Sequence, residues 1–134
     1  FQGRFKAILL EQAAVAEVCR YVHLNPVRVA AVGLDKPGQA HARGGVGTAP
    51  SRATVTERLR RLRQYRWSSY RPYAGWAETP GWLTTMTVLG VEKPAQARVR
   101  QHAYRQSVEE AARAGAVPGT APTAAASAGD DRFR

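Results

Sequence analysis

The sequence predicts an α+β chain that is mostly helical, with one N-terminal strand and a disordered C-terminal tail. Residues 4–10, RFKAILL, begin in partial alternation and end in an apolar run, which is typical of a strand. From Glu11 onward the apolar residues recur with a helical period instead. Residues 116–134 are rich in alanine and glycine and have almost no apolar surface to bury. Because a lone strand is not stable, residues 4–10 need a partner strand from elsewhere.

The first predicted helix has an apolar stripe made of Val15, Val18, Cys19 and Val22. Pro26 lacks an N–H group and disfavours helical angles at the preceding residue. We therefore expect the helix to kink or restart at this point. Asn25 is suited to cap the new turn, and Pro26 is suited to its first position.

Composition divides the chain into four segments, residues 1–34, 35–52, 53–115 and 116–134. The first segment holds the strand and the first helix. The second is rich in glycine, proline and alanine and has no apolar period, so we predict a flexible loop. The third is a basic, aromatic-rich helical part, and the fourth is the tail.

Two helices are predicted in the third segment. Thr54 and Glu57 have the spacing of a capping box and should begin the earlier helix. The apolar face of that helix consists of Val55, Leu59 and Leu62. The later helix runs from about Pro94 to Arg113, with Gly115 as its stop.

The chain is strongly basic, with 20 lysines and arginines, 10 acidic residues and a formal charge of +10. Such an excess favours a polyanionic partner, most commonly nucleic acid. The alternative is a solvated surface from an arginine-rich genome. In the earlier helix of the third segment only Glu57 opposes the arginines, and phosphates would relieve the repulsion among them. The arginines that we predict to contact DNA in this segment are Arg58, Arg60, Arg61, Arg63, Arg66 and Arg71.

Aromatic residues recur at every third position at Trp67, Tyr70, Tyr73 and Trp76. Rings beside basic residues suit the stacking of bases from single-stranded nucleic acid. The alternative is a small packed cluster under a turn, and we favour packing for Trp67 and Tyr70.

Cysteine usage and the first ten residues give expectations about the cellular environment of the protein. The single cysteine, Cys19, excludes an internal disulfide and has no partner for a cysteine zinc site, so a reducing cytoplasm fits. The first ten residues contain two cations and a short apolar run, which is typical neither of a signal peptide nor of a membrane span. We therefore expect a soluble protein without a membrane partner.

Tyr21 and Asn25 are four residues apart and share a face of the first helix, next to the apolar stripe but outside it. Spacing alone favours a packing role for this tyrosine. His23 is a lone histidine on the helix and is expected to lie at the edge of the core. The histidines of the chain form neither an H-x-H nor an H-x-x-x-H pair, so the sequence predicts no metal site of its own.

Four phrases in order carry a resemblance to a known family: FQGRFKAIL, RYVHLNPVR, YRWSSYRPYAG and WLTT. Together they resemble the second half of the REP-associated tyrosine transposases and related insertion-sequence transposases, the single-tyrosine members of the HUH superfamily. The Y-x-x-x-N-P block followed by W-S-S-Y is the most specific part. The resemblance covers residues 1–89, extends more loosely to the helix around Tyr104, and leaves out the tail.

The resemblance implies a ferredoxin-like α+β domain in which two histidines of an H-hydrophobic-H motif hold Mg²⁺ or Mn²⁺. It also implies cleavage of single-stranded or hairpin DNA, with strand transfer through a 5′-phosphotyrosine intermediate. The family nucleophile matches Tyr21, and the family asparagine, an auxiliary metal ligand, matches Asn25. Arg28 joins the predicted DNA contacts. The full-length form is also expected to be able to form a homodimer.

The chain departs from the family because the H-x-H half is absent. In relatives that half lies upstream of the segment matching FQGRFKAIL, and the sequence begins at Phe1. We therefore expect a piece of a longer reading frame or a decayed copy, which binds no metal and does not cleave DNA unaided. Two alternatives stay open. One is a non-catalytic basic module that binds nucleic acid through the arginines, and the other is a remnant that does not fold stably.

Overall fold

The computed structural model describes residues 11–43 and 49–115, which are mostly helical and contain no strand. The predicted strand at residues 4–10 and the predicted tail lie outside the described residues. Among the described residues, no helix combines the length and apolarity needed to cross a bilayer. The six α-helices are α1 (Gln12–Leu24), α2 (Lys36–Arg43), α3 (Arg52–Gln64), α4 (Tyr70–Tyr73), α5 (Met86–Leu89) and α6 (Ala97–Ala114).

The chain leaves α1 through a 3-10 turn at Asn25–Val27. Asn25 keeps right-handed helical angles, with φ −54° and ψ −38°, and its side chain does not cap the turn. The prediction of a cap at this residue is therefore wrong. The tighter turn bonds the Arg28 N–H to the Asn25 carbonyl at 3.0 Å, and this pattern needs no N–H from Pro26. A second 3-10 turn, Ala30–Val32, follows.

Helix α2 occupies residues 36–43, and for that part the prediction of a flexible loop at residues 35–52 is wrong. Its start is held by Asp35, whose Oδ1 accepts a hydrogen bond from the Gly38 N–H at 3.2 Å. Gly38 is required here, because a Cβ atom would clash with the backbone carbonyl oxygen of Gly33. A cap of this kind, formed by one short acidic side chain, outweighs the helix-breaking composition of the segment.

The two longer helices of the third segment exist, but one begins differently from the prediction. Ser51 is the N-cap of α3, and its hydroxyl accepts from the Thr54 N–H at 3.1 Å. The predicted capping box of Thr54 and Glu57 is therefore wrong. The predicted stop of α6 is confirmed, since Gly115 adopts a left-handed φ of 73° directly after the helix.

The main core forms where α3 and α6 pack against each other and against the end of α1. Its buried side chains are Leu24, Val27, Val32, Leu34, Leu62, Tyr70, Ala74, Val108 and Ala112. Each large apolar side chain in such a position stabilises the fold by about 1.5–3 kcal/mol. A smaller cluster of Tyr73, Leu89 and Val91 packs beside it and joins α5 to the rest.

The buried face of α1 is rotated from the predicted stripe. His23 and Leu24 are its fully buried residues, whereas Val22 is 51% exposed. Val18 and Cys19 are half-buried. The stripe was predicted from apolar character alone, and a histidine that finds hydrogen-bond partners competes successfully with valine for the interior.

Candidate functional site

Tyr21 lies on the surface side of α1, half-buried, and a cation covers its ring. The guanidinium carbon of Arg28 is 4.4 Å from the ring centroid. Arg28 also places Nη1 3.5 Å from the side-chain oxygen of Asn25, which is exposed. The turn at Asn25–Val27 thus folds the chain back far enough to bring all three predicted residues together.

An open groove of about 770 Å³ begins beside this set and runs toward the end of α3. Asn25 and Val22 line it on the α1 side, and Tyr65 and Trp67 line it on the other. Trp67 is 77% exposed, so the prediction that it packs inside a cluster is wrong. Tyr70 is fully buried, and the same prediction is confirmed for that ring.

The predicted DNA-contacting arginines of the third segment fall into three groups. Arg58 is buried, and its guanidinium donates to the carbonyl oxygens of Val32, Ala112 and Arg113 at 2.9–3.3 Å. It joins α3 to the end of α6 and is not available to a phosphate. We therefore remove Arg58 from the arginines predicted to contact DNA, because its N–H donors are already bonded to backbone carbonyl oxygens.

The second group of arginines is exposed or half-buried and is already paired with carboxylates. Arg60 and Arg61 both donate to Glu57, with shortest distances of 2.7 Å. Those bonds lower the pKa of Glu57 to about 2, chiefly through the hydrogen bonds from the two guanidinium groups. Arg63 forms two bonds, at 2.9 and 2.7 Å, to the buried carboxylate of Glu109. Glu57 is the one carboxylate on α3, and it relieves repulsion between two arginines because it pairs with both.

The third group consists of Arg66 and Arg71, both exposed. Within the part of the chain that the structure describes, neither guanidinium pairs with a carboxylate. Both line a second groove of about 550 Å³, together with Trp67 and Trp82. Of the predicted DNA-contacting arginines of this segment, the two without a carboxylate partner therefore lie beside exposed tryptophan.

A buried polar network lies behind the surface residues and centres on His23, which is 1% exposed. Its Nδ1 is 2.8 Å from the Tyr104 hydroxyl, and its Nε2 is 2.9 Å from the Ser69 hydroxyl. Burial lowers the pKa of His23 to about 4. Burial likewise raises the pKa of the Cys19 thiol, whose sulfur is 3.9 Å from both ring nitrogens. The imidazole is thus a neutral core group and not a surface ligand.

The described residues do not fit the metal site that the resemblance implies. Asn25 is the residue assigned to it, and its oxygen lies beside the cationic Arg28. In residues 11–43 and 49–115, no group of three histidine, cysteine, aspartate or glutamate side chains could hold an ion. A lone amide oxygen next to a guanidinium is a weak donor for a divalent cation, which prefers several anionic or carbonyl oxygens.

Comparison with known proteins adds no relative. The chain matches no family model, no curated protein and no solved structure. The resemblance to the tyrosine transposases therefore stays a prediction that rests on the motifs quoted above.

Sequence reasoning missed two parts of this region. Trp82 entered the sequence analysis only as part of the WLTT phrase, yet it is 80% exposed in the second groove. The His23 network was missed because its partners lie 46 and 81 positions away along the chain. The W-S-S-Y string was the one available signal, since Ser69 belongs to it.

Proposed function

We propose that the chain is the nucleophile-bearing part of a single-stranded DNA transposase, with Tyr21 as the attacking residue. The observation that carries the proposal is the position of Tyr21. It lies half-buried on the surface side of α1, with Arg28 over its ring, and Asn25 one helical turn away lines an open groove. A ferredoxin-like sheet and a metal supplied by an H-x-H pair belong to the same proposal.

Three of the other four tyrosines of the chain make a contrast that supports this role. Tyr70, Tyr73 and Tyr104 pack in the interior around His23, with ring centroids 5.0–5.8 Å from the imidazole. Burial raises the pKa of each of these phenols, that of Tyr73 to about 12. They are packing residues that resist ionisation. Tyr21 is not part of that cluster, so a packing role, which spacing alone favoured, explains it less well.

The proposed step is a transesterification. The Tyr21 oxygen attacks the phosphorus of a DNA phosphodiester and loses its proton to solvent. The bond from phosphorus to the 3′ oxygen breaks, and that oxygen leaves with a proton as a 3′-hydroxyl. A neutral phenol is a weak nucleophile, so nearby positive charge is needed. In the proposed step Arg28 contacts the phosphate as it approaches the ring.

The test is a covalent adduct in a protein whose upstream segment supplies the H-x-H pair. The substrate is a pool of single-stranded oligonucleotides, labelled at the 3′ end and randomised internally. We expect a labelled protein band on a denaturing gel that Tyr21→Phe abolishes. Tyr65→Phe is the matched control, because Tyr65 is also an exposed tyrosine near the groove. An adduct of undiminished yield in the Tyr21→Phe protein would overturn the assignment.

A non-catalytic nucleic-acid-binding module is the second candidate, and a specific observation favours it. Trp67 and Trp82 expose most of their ring surface next to Arg66 and Arg71. This candidate predicts binding that falls with salt and depends neither on metal nor on Tyr21. Intact DNA recovered from the adduct experiment, together with unchanged binding by Tyr21→Phe, would favour the module over the transposase.

A further inference from the structure

The groove between Trp67 and Trp82 has a composition unusual for the surface of a small protein. Two tryptophans that are 77% and 80% exposed line one concavity of about 550 Å³. Large apolar rings are normally covered, and exposed groups of them mark places where a partner binds. Neither ring is needed for the core, which is formed by other residues.

The unpaired arginines at this groove favour an anionic partner. Arg66 and Arg71 line it and have no carboxylate partner among the described residues, and one acidic residue, Glu78, lines it as well. Arg58, Arg60, Arg61 and Arg63 of α3, in contrast, are buried or paired. An anionic ligand would therefore find two unpaired guanidinium groups side by side with exposed aromatic rings at this groove.

The ring faces are available for stacking. The guanidinium carbon of Arg66 lies over the Trp67 ring at 4.9 Å from its centroid. Since the side chain is still 77% exposed, the opposite face of the ring is open. Every base has a π-face, and stacking of bases on aromatic side chains beside basic residues is the common mode of binding single strands. In a duplex the same faces are already stacked on neighbouring bases.

We infer that Trp67 and Trp82 form a stacking platform for bases of a single DNA strand, with Arg66 and Arg71 contacting the phosphates. Trp67 lines this groove and also the groove that Asn25 lines, so the platform adjoins the region of the proposed reaction. The inference rests on the proposed single-stranded substrate but not on Tyr21 as the nucleophile. A proline-rich peptide is the main competing occupant for exposed tryptophan, but it would leave the two arginines without a role.

Binding of an oligodeoxythymidine of about 12 nucleotides, a length typical of sites that stack several bases, tests the inference on the full chain. We expect the Trp67→Leu and Trp82→Leu double variant to lose about 10-fold or more in affinity, because leucine keeps apolar bulk but has no π-face. The Trp67→Phe and Trp82→Phe double variant should retain most of the affinity. Val99→Ala, an exposed apolar change on α6, is the control and should have no effect.

Tryptophan fluorescence gives a second readout. Oligonucleotide binding should quench the emission of the native protein and leave the double phenylalanine variant, whose remaining tryptophan is Trp76, unquenched. Both leucine substitutions are at exposed positions, and an unchanged circular dichroism spectrum verifies the fold. Equal affinity of native protein and the leucine variant would overturn the inference, as would absence of binding or equal binding of a duplex. If Tyr21→Phe abolishes the covalent adduct but binds the oligonucleotide with unchanged affinity, the stacking platform and the nucleophile are shown to be independent of each other.

Discussion

The Nδ1 atom of His23 lies 2.8 Å from the hydroxyl of Tyr104, and this contact joins α1 to α6 through the interior. The Ser69 hydroxyl meets the other ring nitrogen at 2.9 Å. A neutral imidazole has one donor and one acceptor, and a hydroxyl can serve either. The two hydroxyls therefore satisfy the neutral ring completely. They offer no negative charge to an imidazolium, whose second N–H would also need an acceptor.

Stability should fall as pH drops, because of His23. Burial lowers its pKa from 6.5 to about 4, so the unfolded chain binds a proton more readily than the folded one. The contribution of neutral His23 to the free energy of unfolding is fully present above pH 6.5 and is lost as the pH falls through about 4. A shift of this size corresponds to about 3 kcal/mol. Urea unfolding at a series of pH values between 7 and 4 measures it.

The groups that face His23 support this assignment of the pH window. They are Cys19 from α1, Ser69 and Tyr70 before and within α4, Tyr73 from α4, and Tyr104 from α6. No carboxylate or second histidine is among them. The depressed pKa of Glu57 acts lower, between 4.5 and about 2. His23→Gln should flatten the decline, while the same change at exposed His102 should not. An equal decline in both variants would contradict the prediction.

Tyr104→Phe should destabilise the fold by about 1–3 kcal/mol, the cost of leaving a buried polar atom without its partner. The ring and its contacts with Tyr73 are kept, so the loss reports the hydroxyl. Tyr65→Phe removes the hydroxyl of an exposed ring and should change stability by less than about 0.5 kcal/mol. The measurement is the free energy of unfolding in urea for both variants. Similar values for the two would argue against the hydrogen bond to His23.

The sequence predicted parts of the candidate site and missed others for physical reasons. Local spacing is enough to place Tyr21, Asn25 and Arg28 near one another, because an α-helix and the turn after it bring such residues together. It is not enough to show which arginine is paired, since Glu109 meets Arg63 across 46 positions. Nor does it show that Trp67 faces solvent. Exposure of a ring depends on tertiary packing around it.

Arg58→Lys should destabilise the protein by about 2–3 kcal/mol while leaving the net charge unchanged. The guanidinium contacts carbonyl oxygens on two separate segments, Val32 and the end of α6, and a lysine ammonium cannot reach both with a planar fork. Arg60→Lys is the matched control, because Arg60 is exposed. Chemical denaturation again gives the result. If both substitutions were tolerated equally, Arg58 would not be the clamp that its hydrogen bonds indicate.

The fold was predictable where local signals dominate. The stop of α6 at Gly115 follows from a glycine after a periodic segment, and it is found there. Helix α2 was missed because its segment has many helix-breaking residues, while its stability comes from the Asp35 cap and the burial of Gln39. Arg58 was grouped with surface arginines because sequence shows charge and not burial. The first miss arises from a local cap and the second from tertiary contacts, and neither can be read from composition.

Salt dependence should separate the paired arginines from the unpaired ones. Each phosphate contact on a single strand adds about 0.7 to the slope of log affinity against log salt. The pair Arg66→Gln and Arg71→Gln should therefore lower the slope by about 1.4. The pair Arg60→Gln and Arg61→Gln removes the same charge but should leave the slope nearly unchanged, because Glu57 already accepts from both guanidinium groups. Oligodeoxythymidine binding over a salt series measures the slopes. An equal reduction in both double variants would show that the contacts with DNA extend along α3, as charge alone predicted.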